Sequence, residues 1–352
     1  MRSSPLSIAF LGFLACAGSA LAQDYDFDWA TIDRPGNAAY DGPDPVHTRL
    51  LVGRGQVDYT YRISKFETST AQWMEFLNTF ADNPQPHPFW DTGLGPVHWG
   101  AFRDGSGRYE LRDVPDASMI PVSNITWRMG GLYCNWLHNG KSNDPASLVS
   151  GAYDTTTWGT GKYGSFTDDL THMTGAKFWI PTLDEQLKAF QYDPNRYGVG
   201  QGGWWLARNG SDSPGTPGPP GIGSTSAEVQ DWTAWDYPLG AYANSASPWG
   251  LWDTSGGTNE WNEEALPYED GFPFYPTGRG VMGSHSGPGN DTYVLDMAWE
   301  IGSRTLSDSY TGLRIVAAIP APAGFSAGIL LFLTSLHRRR WLVSLSHAKG
   351  VH

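Results

Sequence analysis

The sequence predicts a single mixed α+β domain, loop-rich and with little regular secondary structure, and three observations carry that prediction. With 43 Gly and 25 Pro, the 352 residues hold turn-forming positions throughout, and charged residues reach only 17%. Such a chain is globular rather than disordered or coiled-coil. Helical spacing of apolar residues occurs in three short capped stretches, and β-type alternation is scattered rather than serial. The length suffices for one large domain or two ordinary ones, and 17 Trp supply bulk for the core.

At the start, Met1-Arg2, the apolar run Leu6 to Ala17 and Ala20-Leu21-Ala22 read as a secretory signal peptide over residues 1–22, with cleavage expected before Gln23. Phe13 stands where a lipobox has Leu, so lipidation at Cys16 ranks below cleavage. Only Cys134 then remains, which excludes an internal disulfide and any two-cysteine redox or metal chemistry. From Gln23 to Ile319, 18 basic residues face 36 acidic ones, so nucleic acid is excluded as a partner.

Residues 23–49 are polar, with Pro35-Gly36 and Gly42-Pro43, and read as an irregular arm before a domain over 50–318. Val57 to Ile63 alternates apolar and polar side chains, the pattern of a strand with one buried face. Ser69 with Gln72 forms a capping box for a helix whose inner face is Trp73, Phe76, Leu77 and Phe80. Pro84 to Ser118 lacks periodicity and reads as a long loop with short strands near Arg108 to Leu111; its His87 and His98 have no metal-ligand spacing. A second helix runs from Trp127 to His138, ended by Asn139-Gly140, with Cys134 as a small inert core residue. Thr182 and Glu185 form another capping box, for a helix through Tyr192 with Leu183, Leu187 and Phe190 inside. Ser213 to Gly221 is an exposed excursion, and Thr311 to Ala317 reads as a closing strand.

One stretch, Gly250 to Glu264, packs two Trp, several carboxylates and Gly256-Gly257 into a short span. It suits a tight turn stapled by rings, or an oxygen-ligand site for a hard cation such as calcium. Past the domain, Ile319-Pro320-Ala321-Pro322 leads into the apolar run Ala323 to Leu336 and then His337-Arg338-Arg339-Arg340. Its 14 apolar or small residues fall short of a bilayer span, which needs about 20, although Trp341 to Leu345 lengthen the run if the arginines snorkel.

The order of these pieces carries a resemblance. Tyr59 to Ser69 with Gln72 and Phe76-Leu77-Asn78; Pro121-Val122-Ser123 with Trp127 and Asn135-Trp136-Leu137; Ile180 to Glu185 with Lys188-Ala189; Gly250-Leu251-Trp252-Asp253 to Glu260-Trp261; and Gly312-Leu313-Arg314 together resemble the formylglycine-generating-enzyme, or sulfatase-modifying factor, family. The resemblance implies a C-type-lectin-like fold. It also implies calcium at the segment matching Gly256 to Trp261, with Gly257 and Glu260 as candidate ligands, although Gly257 stands in place of the family's Asn and Asn259 in place of its Trp. Residues 319–340 are similar to a PEP-CTERM sorting signal, with Pro-Ala-Pro for Pro-Glu-Pro and an atypical tail over 341–352. That likeness implies an exosortase-type partner, export and attachment at the membrane or cell surface.

Formylglycine-generating members use two cysteines holding copper. The corresponding region here, Arg279 to Arg314, has none, and the Arg-Gly-Gly-Ser motif is altered to Gly280-Val281-Met282-Gly283-Ser284-His285. Soft Cu(I) needs thiolates, so neither copper nor formylglycine formation is expected. Ser284, His285, Asp296, Trp299, Glu300 and Arg304 lie where the family builds its cleft; His285, Glu300 and Arg304 are the candidates for acid-base or redox chemistry. Three functions stay open: a surface-attached binding or structural module for a peptide or glycan, an enzyme of different chemistry in the same cleft, and a lectin-like carbohydrate binder.

Overall fold

The computed structural model describes residues 24–43, 51–91, 98–267, 276–287, 299–302 and 310–320. The chain runs β1 (Trp29–Ile32), β2 (Tyr61–Ser64), α1 (Thr70–Thr79), β3 (Ala101–Arg103), β4 (Tyr109–Leu111), α2 (Trp127–His138), β5 (Phe178–Trp179), α3 (Leu183–Gln191), β6 (Tyr192–Asp193), β7 (Gly203–Trp204), β8 (Asn259–Pro267), β9 (Pro276–Met282), β10 (Trp299–Gly302), β11 (Thr311–Gly312) and β12 (Val316–Ala317). The predicted fold class holds: helices are few, strands are short, and irregular chain fills the rest. Asp24–Ile319 form one compact unit, and the signal-peptide and sorting-tail expectations lie outside the described residues, apart from Ile319 and Pro320.

Helices begin where the caps place them. Ser69 and Gln72 exchange side-chain and backbone hydrogen bonds at the start of α1, and Thr182 and Glu185 do the same for α3. Capping satisfies backbone N–H groups that a helix leaves unpaired at its first turn. The face predicted for α1 is buried and meets α2 through rings, with Trp73 and Phe76 each 5.3 Å from Tyr133. Helix α2 is buried on all sides rather than along one stripe, since Arg128, Gly130, Gly131 and Asn135 are inside as well. Asn135 is affordable there because its amide donates to Leu148 and Tyr153 carbonyls and accepts from Ala152 and Tyr153 N–H groups.

Two four-stranded sheets organise the strands, in the orders β1-β2-β12-β5 and β10-β9-β8-β11. Three expectations change here. The predicted arm contains β1, paired antiparallel with β2 from Trp29 opposite Ser64 to Ile32 opposite Tyr61. Strand β2 lies inside its sheet between β1 and β12, and all four of its residues are buried, so the expected polar face is absent. Arg62 is accommodated by stacking on Trp29 at 5.0 Å and by pairing with Asp24. Finally, the closing strand is broken: β11 joins β8 in parallel, whereas β12 inserts between β2 and β5, and Leu313 to Ile315 cross from one sheet to the other. Helix α3 ends one residue earlier than expected, as Tyr192 turns extended to open β6.

Candidate functional site

The Gly250 to Glu264 segment is built on left-handed backbone, with positive φ at Gly250, Asp253, Gly256 and Gly257. Glycine is needed at 256 and 257 for a second reason: a Cβ would run into Ser226 at the first and into the Glu67 carboxylate at the second. Two reciprocal bonds then tie the segment to the start of α2, as Trp127 Nε1 donates to Asn262 O at 3.1 Å and Trp261 Nε1 donates to Ile125 O at 2.7 Å. Both rings are essentially inaccessible to solvent, so the tryptophans act as staples.

Inside the turn, three carboxyl groups surround one guanidinium. Arg314 donates through Nε and Nη2 to Glu260 at 2.8–3.0 Å and caps the Ser64, Lys65 and Trp252 carbonyls. The Gln186 amide donates to the remaining side of Glu260 at 3.2 Å. Glu67 accepts from the N–H and hydroxyl of Thr258, and Asp253 accepts from Gly240 N–H. Burial, with the Glu260 charge added, pushes the Glu67 carboxyl well above the usual carboxylate range, and burial pushes Asp253 up to about 6. One guanidinium faces three carboxyl groups, with Glu67 and Glu260 buried and Asp253 half-buried, so Glu67 and Asp253 ionise less readily than free carboxyls. A cation at Glu260 would have to displace Arg314 or Gln186, and among the described residues no group of three or more His, Cys, Asp or Glu is placed to hold a metal. The Glu260 carboxylate is therefore engaged by Arg314 and Gln186 rather than open to a cation.

Ser284 and His285 follow β9. Ser284 is fully buried and accepts from Gly256 N–H at 3.1 Å, beside a seam of hydroxyls in which Ser286 donates to Ser226 at 2.7 Å and Gly257 N–H donates to Ser226 at 2.9 Å. His285 Nδ1 lies 2.7 Å from Ser286 O. A carbonyl only accepts, so Nδ1 carries the proton. The ring lies 4.2 Å from Tyr310 and 5.6 Å from Trp235, and His98 stacks on Trp235 at 4.2 Å, so four rings are nearly parallel. Burial lowers the His98 pKa, opposed by Asp236 and assisted by His285. Arg279, just before the altered Arg-Gly-Gly-Ser motif, is buried between Trp127 and Phe166 and donates to the Asp169, Leu170 and Glu263 carbonyls, a structural use. Burial lowers its pKa to about 10.

Of the remaining predicted residues, Asp296 and Arg304 lie outside the described residues, as do the side chains of Trp299 and Glu300, which sit on β10. The structure brings together Ser284, His285, Gly257 and the Glu260–Arg314 pair. Sequence reasoning missed Glu67, His98, Trp235 and Tyr310, which come from distant loops with no shared spacing. It also missed a hydrogen-bonded group elsewhere: Glu263 accepts from Tyr153 at 2.7 Å and faces His172 Nδ1 at 3.0 Å. Burial opposes protonation of that histidine, yet Glu263 prevails and raises its pKa.

With this geometry in view, a family model described as sulfatase-modifying factor enzyme 1-like domain matches residues 35–319. Among solved structures the chain is similar to CarF, at 16% identity over 84% of this chain and 99% of that one, with a TM-score of 0.50. It is also similar to variable protein 1 of Treponema denticola, at 17% identity, 83% and 95% coverage and a TM-score of 0.44. A third is PvdO from Pseudomonas aeruginosa, at 13% identity, 83% and 92% coverage and a TM-score of 0.37. At such identities the likeness concerns the fold alone. A search among curated proteins finds no match.

Proposed function

The chain belongs to the sulfatase-modifying factor enzyme 1-like family, and from that premise we propose that it is an exported, surface-attached binding member that does not form formylglycine. One observation carries the reading. Cys134 is the sole cysteine after Cys16, and it is buried within α2, where burial and the Glu263 charge push its thiol well above the usual range. A thiol that stays protonated and out of reach neither binds Cu(I) nor attacks a substrate. The described residues of the family's cleft position are spent on holding the fold: Ser284 on the Gly256 turn, Arg279 on carbonyls, Glu260 on Arg314.

The export part of the proposal rests on the amino-terminal apolar run and on the apolar-basic carboxyl-terminal segment. The test of the chemistry is incubation of the purified chain with copper, oxygen and a cysteine-containing peptide, read by mass spectrometry. No aldehyde is expected; aldehyde formation at the cysteine overturns the proposal. A binding screen against peptides and glycans, run with and without a chelator, decides the calcium expectation, and unchanged binding and melting in the chelator is the expected outcome. Fractionation of cells expressing the chain with and without residues 323–345 tests attachment, which the deletion is expected to abolish.

A further inference from the structure

A second cleft, unrelated to the Ser284–His285 seam, lies between the β6–β7 hairpin and residues 38–43. We propose that it binds a neutral sugar residue of a glycan, which narrows the binding-module reading to one place and one ligand class. Its volume of about 440 Å³ lies within the roughly 300–1,000 Å³ of small-molecule sites. The floor is made of rings: Trp204 meets Tyr192 at 5.1 Å and Tyr40 at 5.7 Å, both edge-on. Trp204 is anchored by donating to Ala38 O at 3.2 Å, and Tyr40 by donating to Pro43 O at 2.9 Å. Tyr192 is different. Its residue is 8% exposed, it lines the cleft, and its hydroxyl has no hydrogen-bond partner among the described residues.

The rim supplies polar groups beside an open aromatic face. Arg196 donates through Nη2 alone to both oxygens of Asp212, at 2.9 and 2.8 Å, and is sandwiched between Trp205 at 4.4 Å and Tyr197 at 5.1 Å. Its Nε and Nη1 have no other hydrogen-bond partner among the described residues. Tyr197 is 66% exposed, and Asp41 stands on the wall formed by residues 38–43. Glycine keeps the cleft clear, because a Cβ at Gly202 would collide with the Tyr192 ring and one at Gly203 with Tyr197. The hairpin loop is held in shape by bonds from Asn195 N–H to Asp193, Gly200 N–H to Asn195 and Tyr197 N–H to Gln201, so little order has to be gained on binding.

The ligand class follows from what these groups ask for. Two carboxylates against one guanidinium, already paired, disfavour an anion. Aromatic faces bury C–H groups, while an arginine fork, an acid and an unpaired phenol ask for hydroxyl partners. A pyranose has an apolar C–H face and a rim of hydroxyls, and so answers both. A ligand without hydroxyls that covered the cleft would cut the Tyr192 hydroxyl off from water without giving it a partner, at a cost.

The test is calorimetric titration of the purified full chain with neutral oligosaccharides of glucose, galactose, mannose and N-acetylglucosamine, beside uronic acid oligomers and a lysine-rich peptide. Binding of at least one neutral oligosaccharide is expected. Tyr197→Ala should weaken it about tenfold, as loss of one stacking face predicts, and Arg196→Ala should weaken it as well. Trp232→Ala, which removes another exposed ring outside the cleft, should leave it unchanged, and thermal melting should show all three variants folded. Three results overturn the proposal: no binding to any neutral oligosaccharide, binding only to the charged probes, or equal affinity in Tyr197→Ala and wild type. Since this titration reads binding alone, aldehyde formation in the copper assay would overturn the reading above and leave the sugar site standing.

Discussion

Asp253 shows how a single side chain can be kept for position rather than charge. It adopts φ 55°, a left-handed geometry that Asn tolerates as well as Asp, and its role toward the chain is to accept from Gly240 N–H. In the folded protein its pKa is pushed up to about 6, above the 3.8 of a free aspartate. The folded state therefore holds a proton that the unfolded chain gives up, so the stability tied to this group is complete below about pH 4 and is lost as pH rises toward 6. Glu67 acts in the same direction. Asp253→Asn keeps the backbone and the acceptor and removes the charge. It should raise stability by about 1 kcal/mol at pH 7, a figure reduced for partial exposure, and give no gain at pH 4, as denaturant titrations at the two values will show. Such a residue is hard to find in a sequence, because Trp252-Asp253 reads equally well as a cation ligand or a turn until its neighbours from Glu67 and Arg314 are known.

At the level of elements, the caps were legible and the ladders were not. Ser69, Gln72, Thr182 and Glu185 act on atoms within three residues, so local sequence contains all that is needed to locate α1 and α3. By contrast, nothing local distinguishes Thr311 to Ala317 as two strands in two sheets. The break is made by Arg314, whose guanidinium turns inward to Glu260 on β8. This pair joins the closing segment to the Trp-stapled turn. Glu260→Gln should destabilise the fold by about 3–5 kcal/mol, because it breaks the charged hydrogen bonds that hold a buried guanidinium in place. The double change Glu260→Gln with Arg314→Met should cost less than the two single changes together, and a double-mutant cycle from chemical denaturation measures the difference. The candidate site was legible in the same uneven way: Ser284 and His285 were found through a motif, whereas His98, Trp235 and Tyr310 reach His285 only through tertiary folding.

Across the whole molecule, composition foretold a loop-rich α+β domain because glycine, proline and tryptophan act through numbers as much as through position. It could not foretell which strand lies where. The last strand, β12, is flanked by β2 and β5 rather than sitting at an edge, and β11 completes the other sheet. Removing residues 311–352 should therefore abolish cooperative unfolding rather than trim a tail, as calorimetry of the truncated chain will show. The same placement bears on how the protein is made. A ribosome delivers the chain amino end first, and each sheet waits for a strand that follows all three helices in the chain. Without those strands the helices and hairpins have neighbours but neither sheet is complete, and a fold that depends on such distant pairings collapses slowly. Both sheets close by joining strands far apart in the sequence, so the long loops between them must be gathered in before the last pairings can form.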